Sequence, residues 1–197
     1  MSDLILSSGF HEDQRASAAC LYWEAFGGKL APVMRPQAKA LNFLADVMDP
    51  AFAISASDET GALLGLAGFK TSEGSLVGGG LTDLARTYGW IGALWRGAIL
   101  SVLERKISPG ILLMDGICVS AEARSRGVGT RLLDAILEEA QKRKMRAVRL
   151  DVIDTNPRAR ALYERFGFQA DQHSDIGPLR HIFGFRGSTS MIYTISR

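Results

Sequence analysis

The sequence predicts a single α/β domain, a sheet flanked by helices, and three observations carry that prediction. Strand-like and helix-like segments alternate along 197 residues with no internal repeat or linker between them. The run "ILLMDGICVS", Ile111 to Ser120, is apolar almost throughout, as a strand covered on both faces must be. Directly after it, "EARSRGVGTRLLDAI", Glu122 to Ile136, sets arginines and two glycines in front of apolar residues at helical spacing.

In order, "DLILSS" suits a short first strand. "DQRASAACLYWEAFGGKL" reads as a helix with Ala18, Leu21, Tyr22, Ala25 and Phe26 on one face and Gly27-Gly28 as its stop. A second helix is expected within "PQAKALNFLADVM", starting at Pro36 and ending before Pro50. "AFAISASDETGALLGLAGFK" reads as a hairpin about a turn at Asp58 to Gly61. In the loop "TSEGSLVGGG", Gly78-Gly79-Gly80 lacks the following Lys-Ser/Thr pair of a Walker-type phosphate loop and reads as a flexible connection.

A long helix is expected from Leu81 to Lys106, between the third and fourth strands. Leu84, Tyr88, Ile91, Trp95, Ala98 and Val102 form one continuous stripe, widened by Trp90, Leu94, Ile99 and Leu103. So apolar a helix needs cover on two sides: the rest of the chain, a substrate pocket or a homodimer contact. After the strand at 111–120, a helix reaches about Lys144 with Val128, Leu132, Ile136 and Ala140 inward. "MRAVRLDVID" alternates as a strand does. Asn156-Pro157 opens another helix, Asn as its N-cap and Pro at its first position, and Gly167 closes it. "FGFQA" and "SMIYTIS" supply late strands around a loop from Asp171 to Ser188.

Lys and Arg number 23 against 21 Asp and Glu, a balance too mild for a general nucleic-acid binder. Cys20 and Cys118 form no metal-ligand pattern and are read as reduced, with Cys118 a small buried apolar group. No metal is expected. The N-terminus carries no secretory signal. The run Thr87 to Leu103 falls short as a membrane span, with Arg96 in its middle. The chain is therefore expected to be cytoplasmic, with neither a nucleic acid nor a membrane as partner.

A helix N-terminus has unpaired N–H groups and a partial positive charge. Gly127 and Gly129 let backbone approach a ligand closely, and Arg124 and Arg126 add forked donors suited to phosphate. The loop from Arg124 to Gly129 is thus a candidate anion site; solvated arginines on an ordinary strand-to-helix turn are the alternative. A dinucleotide fingerprint fits poorly, since Leu132 stands where its third glycine belongs.

These residues resemble a known superfamily, the GNAT N-acetyltransferases. Arg124-Ser125-Arg126-Gly127-Val128-Gly129 matches the pyrophosphate-binding pattern R/Q-x-x-G-x-G/A. The strand "LMDGICV" before it matches, and so does "NPRARALYERFGF", Asn156 to Phe168, which resembles the family's "N..A..LYE..GF" signature. The resemblance is firm over about 111–168 and weak before Ala51. It implies a mixed, twisted sheet that splays between the strand ending at Ser120 and the strand ending at Asp154, with acetyl-CoA in the split. Backbone of Ile117, Cys118 and Val119 would pair with the pantetheine arm. N–H groups from Arg124 through Ser125, Arg126, Gly127, Val128 and Gly129 to Thr130 would hold the pyrophosphate. Asn156 would bond to the cofactor arm, and Tyr163 would point its hydroxyl at the sulfur.

Amide formation from a thioester needs an uncharged amine, an oxyanion donor and a proton for the departing thiolate. A strand N–H of Cys118 or Val119 can be the donor and Tyr163 the acid. Asp115, read by period two as sharing a face with Ile117 and Val119, is the candidate general base or amine-binding anion, or else a structural acceptor. Glu24 is a weaker candidate for the base; His11, His173 and His181 are scattered, and His173 and His181, on the late loop within reach of a pocket, read as solvated. The basic cluster from Gln141 to Arg149 reads as a solvated helix terminus, and Tyr22, Trp23 and Phe26 as core packing.

The expectation is one domain over 1–197, with an acetyl-CoA-binding core at about 111–168 and a variable acceptor side at about 10–50 and 74–108. Its activity would be direct transfer of acetyl from acetyl-CoA to a primary amine of a small molecule, within a ternary complex. A protein or peptide N-acetyltransferase, or a non-catalytic acyl-CoA sensor, stand as alternatives.

Overall fold

The computed structural model describes residues 4–103, 107–177 and 180–195. The chain runs β1 (Ile5–Ser8), α1 (Arg15–Met34), α2 (Gln37–Val47), β2 (Ala53–Ser57), β3 (Leu63–Lys70) and α3 (Leu81–Leu103). It continues through β4 (Ile111–Val119), α4 (Val128–Lys142), β5 (Ala147–Ile153), α5 (Pro157–Arg165), β6 (Gln169–Asp175), α6 (Arg180–Phe183) and β7 (Gly187–Thr194). The strands form a mixed sheet in the order β1-β2-β3-β4-β5-β7-β6. β4 and β5 pair in parallel, and the other neighbours are antiparallel.

β4, the most apolar run, sits at the centre of the sheet, where both its faces are covered. α4 lies on one face, its stripe of Val128, Leu132, Ile136 and Ala140 fully buried. α1 covers the other: Phe26 lies where a Cβ on Gly116 would be. A second, mostly helical cluster joins Val33 and Met34 of α1, Ala40 and Phe43 of α2, and Leu84 and Ala93 of α3 with Phe183 of α6 and Phe185 just beyond it. The hairpin turn forms as expected: the Asp58 carboxylate accepts from the backbone N–H groups of Thr60 and Ala62 at 2.9 and 3.0 Å. Among the described residues, no helix is long and apolar enough to cross a membrane.

Three expectations are corrected. α1 does not stop at Gly27-Gly28 but runs on to Met34, across Pro32. Gly27 is buried beneath the Trp23 ring, 3.0 Å from where its Cβ would stand, and burial of Val33 and Met34 holds the extra turns. The helix from Leu81 is not one continuous stripe. Gly89 has φ 72° and ψ 163°, so the helix breaks there into limbs 81–88 and 90–103. The limbs fold back on each other: a Cβ on Gly97 would stand 3.4 Å from Leu81, whereas in a straight helix these residues lie about 24 Å apart. The reversal resets the stripe, so that Ile91 is 86% exposed while Ala93 is buried. Lys106, the expected helix end, lies outside the described residues, as do the side chains of Val102 and Leu103. Finally, most of the expected loop from Asp171 to Ser188 is not irregular: β6 extends to Asp175 and pairs with β7 from Gln169 to Asp175.

Candidate active site

The split in the sheet follows from the register. β4 and β5 pair only from Ile111↔Ala147 to Met114↔Leu150. β4 stays paired with β3 to Val119, so its other edge is open beyond Met114. Into this opening point the N-termini of α4 and α5, enclosing a groove of about 700 Å³.

At the start of α4 the chain passes through two left-handed residues, Ser125 (φ 62°) and Gly127 (φ 80°). Gly127 is the N-cap, and no side chain caps the helix or places an acid in its first turn. The leading amides Val128, Gly129 and Thr130 therefore face the groove with no carboxylate or hydroxyl across them, where a helix terminus attracts an anion. Arg124 and Ser125 line the same groove, and Arg158 reaches Ser125 Oγ at 3.4 Å. Arg158 and Arg165, on α5, are cations of the groove that the sequence reading missed. Arg158 had a signal, its place in the first turn of a helix opening beside the anion loop. The Arg126 side chain does not line the groove.

Asn156 caps α5, its Oδ1 accepting from the Ala159 N–H at 3.1 Å, which leaves its amide nitrogen for the groove that it lines. Tyr163, one α-helical turn and more further on, is buried and lines the groove too. Burial, with a smaller push from Cys118, raises its phenol to about 12, so it holds its proton at neutral pH.

Ile117 and Val119 line the groove, but Asp115 does not join them, which corrects the shared face read from period two. The β3–β4 register runs from Gly68↔Gly116 to Phe69↔Met114, so Asp115 is the extra residue of a β-bulge. Beyond the bulge the alternation is inverted. Ile117 and Val119 face α4, while Asp115, Gly116 and Cys118 face α1. Asp115 opens instead on two cavities beneath α1, a large one of about 700 Å³ and a small one of about 180 Å³, which share Tyr22, Leu30 and Leu113. Only about 7 Å of strand separates it from Ile117, so the two sides of the split meet at the bulge. Solvent reaches its carboxyl through the cavities, yet the protein packed around it raises it to about 6, against a weaker opposing pull from Lys70.

Cys118 is buried against α1, and burial pushes its thiol far above its usual range, which favours the neutral thiol over a thiolate. Glu24 is exposed. His11, His173 and His181 are exposed as well, His173 on β6 within 3.4 Å of Thr189 Oγ1. The Arg143 guanidinium of the basic cluster bonds Glu139 at 2.6 Å and covers the Phe69 ring at 4.9 Å, a structural use. The Tyr22 and Phe26 rings pack at 4.7 Å, and Tyr22 is also part of the cavity walls.

The chain belongs to the acetyltransferase (GNAT) family, whose model matches residues 19–168. Solved structures of the same fold include an N-acetyltransferase from Staphylococcus aureus Mu50, at 14% identity over 96% of this chain and 100% of that one, TM-score 0.68. A GCN5-related N-acetyltransferase from Kribbella flavida is 16% identical over 98% of each chain, TM-score 0.64. Another solved acetyltransferase is 19% identical over 98% of this chain and 100% of that one, TM-score 0.65. No curated protein matches the chain.

Proposed function

We propose that the chain is an acetyl-CoA-dependent N-acetyltransferase that acetylates a primary amine of a small molecule by direct transfer. The observation that carries this reading is the convergence on one groove of an uncapped helix N-terminus, an open strand edge and a protonated buried tyrosine.

Acetyl-CoA supplies an acetyl group activated as a thioester. The amides of Val128, Gly129 and Thr130, with Arg124 and Arg158 beside them, hold the diphosphate. The edge of β4 at Ile117, Cys118 and Val119 aligns the pantetheine arm as an added strand would. An N–H on that edge donates to the acetyl oxygen as negative charge grows there. Asp115, ionised above about pH 6, receives the proton that the attacking amine gives up, directly or across one water. Tyr163 gives its proton, or a hydrogen bond, to the sulfur as the C–S bond breaks.

The test is thiol release from acetyl-CoA in the presence of a panel of amines. Release should depend on the amine, and Tyr163→Phe should lower kcat by about 100-fold, within the range of a lost general acid, while calorimetry shows acetyl-CoA affinity unchanged. A Tyr163→Phe enzyme of normal turnover, or an acetylated enzyme trapped without amine, would contradict the mechanism.

A further inference from the structure

The larger cavity beside Asp115 has a mostly apolar wall. Leu30, Phe43, Leu81, Leu84, Leu94 and Leu113 line it, and both limbs of α3 contribute. Leu81 and Leu94 are 42% and 59% exposed, and neither joins a core cluster. Apolar side chains left open on a concave wall mark a surface that a ligand covers. Among the described residues, the charged side chains of this wall are Asp115 and Lys70. Lys70 pairs with Leu113 across β3 and β4, which places it diagonally from Asp115 on the same sheet face.

We infer that the acceptor is a primary amine on a single apolar body, an alkyl chain or an aromatic ring on a short spacer, carrying one positive charge. The inference rests on the function proposed above and names its substrate class. Asp115 meets the ammonium, which gives one proton to solvent through the cavity before the free amine attacks, and the leucines of α3 cover the apolar body. Among the described residues, the wall offers no further carboxylate to the second ammonium of a polyamine. A peptide N-terminus would bring main-chain amides against leucines along most of the wall, with Ser101 and the loop at Gly78 and Gly79 as its few uncharged polar partners. The break at Gly89 makes this wall possible, because it lays residues 90–103 beside 81–88 rather than away from them.

The test is a homologous series of n-alkylamines from butylamine to octylamine, with spermidine and a short peptide as polar acceptors. The value of kcat/KM should rise about fourfold per methylene, the gain from burying one CH2, until the cavity is filled. Spermidine and the peptide should lie at least 100-fold below octylamine. Leu94→Ala should flatten the slope, and Ala98→Trp, on the same wall, should shorten the longest chain accepted. Calorimetry should show acetyl-CoA affinity unchanged in both. Spermidine or peptide turnover equal to that of octylamine, no dependence on chain length, or an unaltered slope in both variants would overturn the substrate class. Failure of every amine with acetyl-CoA still bound would also overturn it, leaving the groove as assigned. Failure to bind acetyl-CoA would overturn the proposed function and this inference with it.

Discussion

The groove along β4, α4 and α5 and the larger cavity beneath α1 approach each other at Asp115, yet they are built in different ways. The groove takes many of its donors from backbone at the ends of secondary structure, the first amides of α4 and the free edge of β4, joined by the Asn156 amide at the capped start of α5. The cavity takes its character from side chains brought together over long sequence separations, Leu30 on α1, Phe43 on α2, Leu84 and Leu94 on the two limbs of α3. Backbone donors serve an invariant ligand such as a diphosphate, because their geometry survives changes in the surrounding side chains. A wall of leucines can be altered one residue at a time, which suits the acceptor-selecting role proposed for it.

If this division holds, variants on each side should be separable. The largest effect is expected where the sides meet. Asp115→Asn removes the proton acceptor and should lower kcat/KM by about 100-fold, within the range of general-base catalysis. In the unaltered enzyme kcat/KM should rise with pH through about 6, and the variant should lose that limb. Stability runs the opposite way. The folded chain binds the Asp115 proton more tightly than the unfolded chain, so stability falls as pH rises from about 4 through about 6. Asp115→Asn should remove that fall, as denaturant titrations at pH 4 and pH 7 would show. An unchanged rate profile would take Asp115 out of the chemistry.

A smaller effect should sharpen the comparison from the acceptor side. The Gly89 backbone lies in a region open to glycine almost alone, and a side chain there costs about 1–3 kcal/mol. Gly89→Ala should therefore lower Tm by about 2–10 °C for a chain of this size. It should raise KM for the amine and leave acetyl-CoA affinity alone. A change in acetyl-CoA affinity instead would show that the two sides are mechanically coupled.

The same division explains what the sequence revealed. Elements whose logic is local were legible: the α4 stripe, the Asn156-Pro157 cap, the turn at Asp58, and the Arg124–Gly129 loop before a helix. What failed depended on distant packing. Gly27-Gly28 has the composition of a helix stop, but burial under Trp23 and of Val33 carries α1 through it. The even spacing from Leu84 to Trp95 hides a reversal that only contact between Gly97 and Leu81 reveals. The bulge had a sign that went unread, a glycine inside a strand at Gly116, and it moved Asp115 to the other face from Ile117. Arg158 had a local sign, its place in the first turn of the helix that Asn156-Pro157 opens, but Arg165 at the far end of that helix joins the groove only in three dimensions.

The central claim is that the backbone from Gly127 to Thr130 grips the diphosphate, and a comparison of two ligands on one variant tests it most directly. Acetyl-CoA and acetyl-pantetheine differ by the nucleotide and its phosphates, so in the unaltered protein calorimetry should give acetyl-CoA at least 100-fold tighter binding, about 2.7 kcal/mol. Gly127→Val places a branched side chain at φ 80°, where it cannot sit without moving the loop. The account predicts that this variant loses most of the 100-fold advantage while its affinity for acetyl-pantetheine stays within about threefold. Retention of the full advantage in Gly127→Val would contradict it.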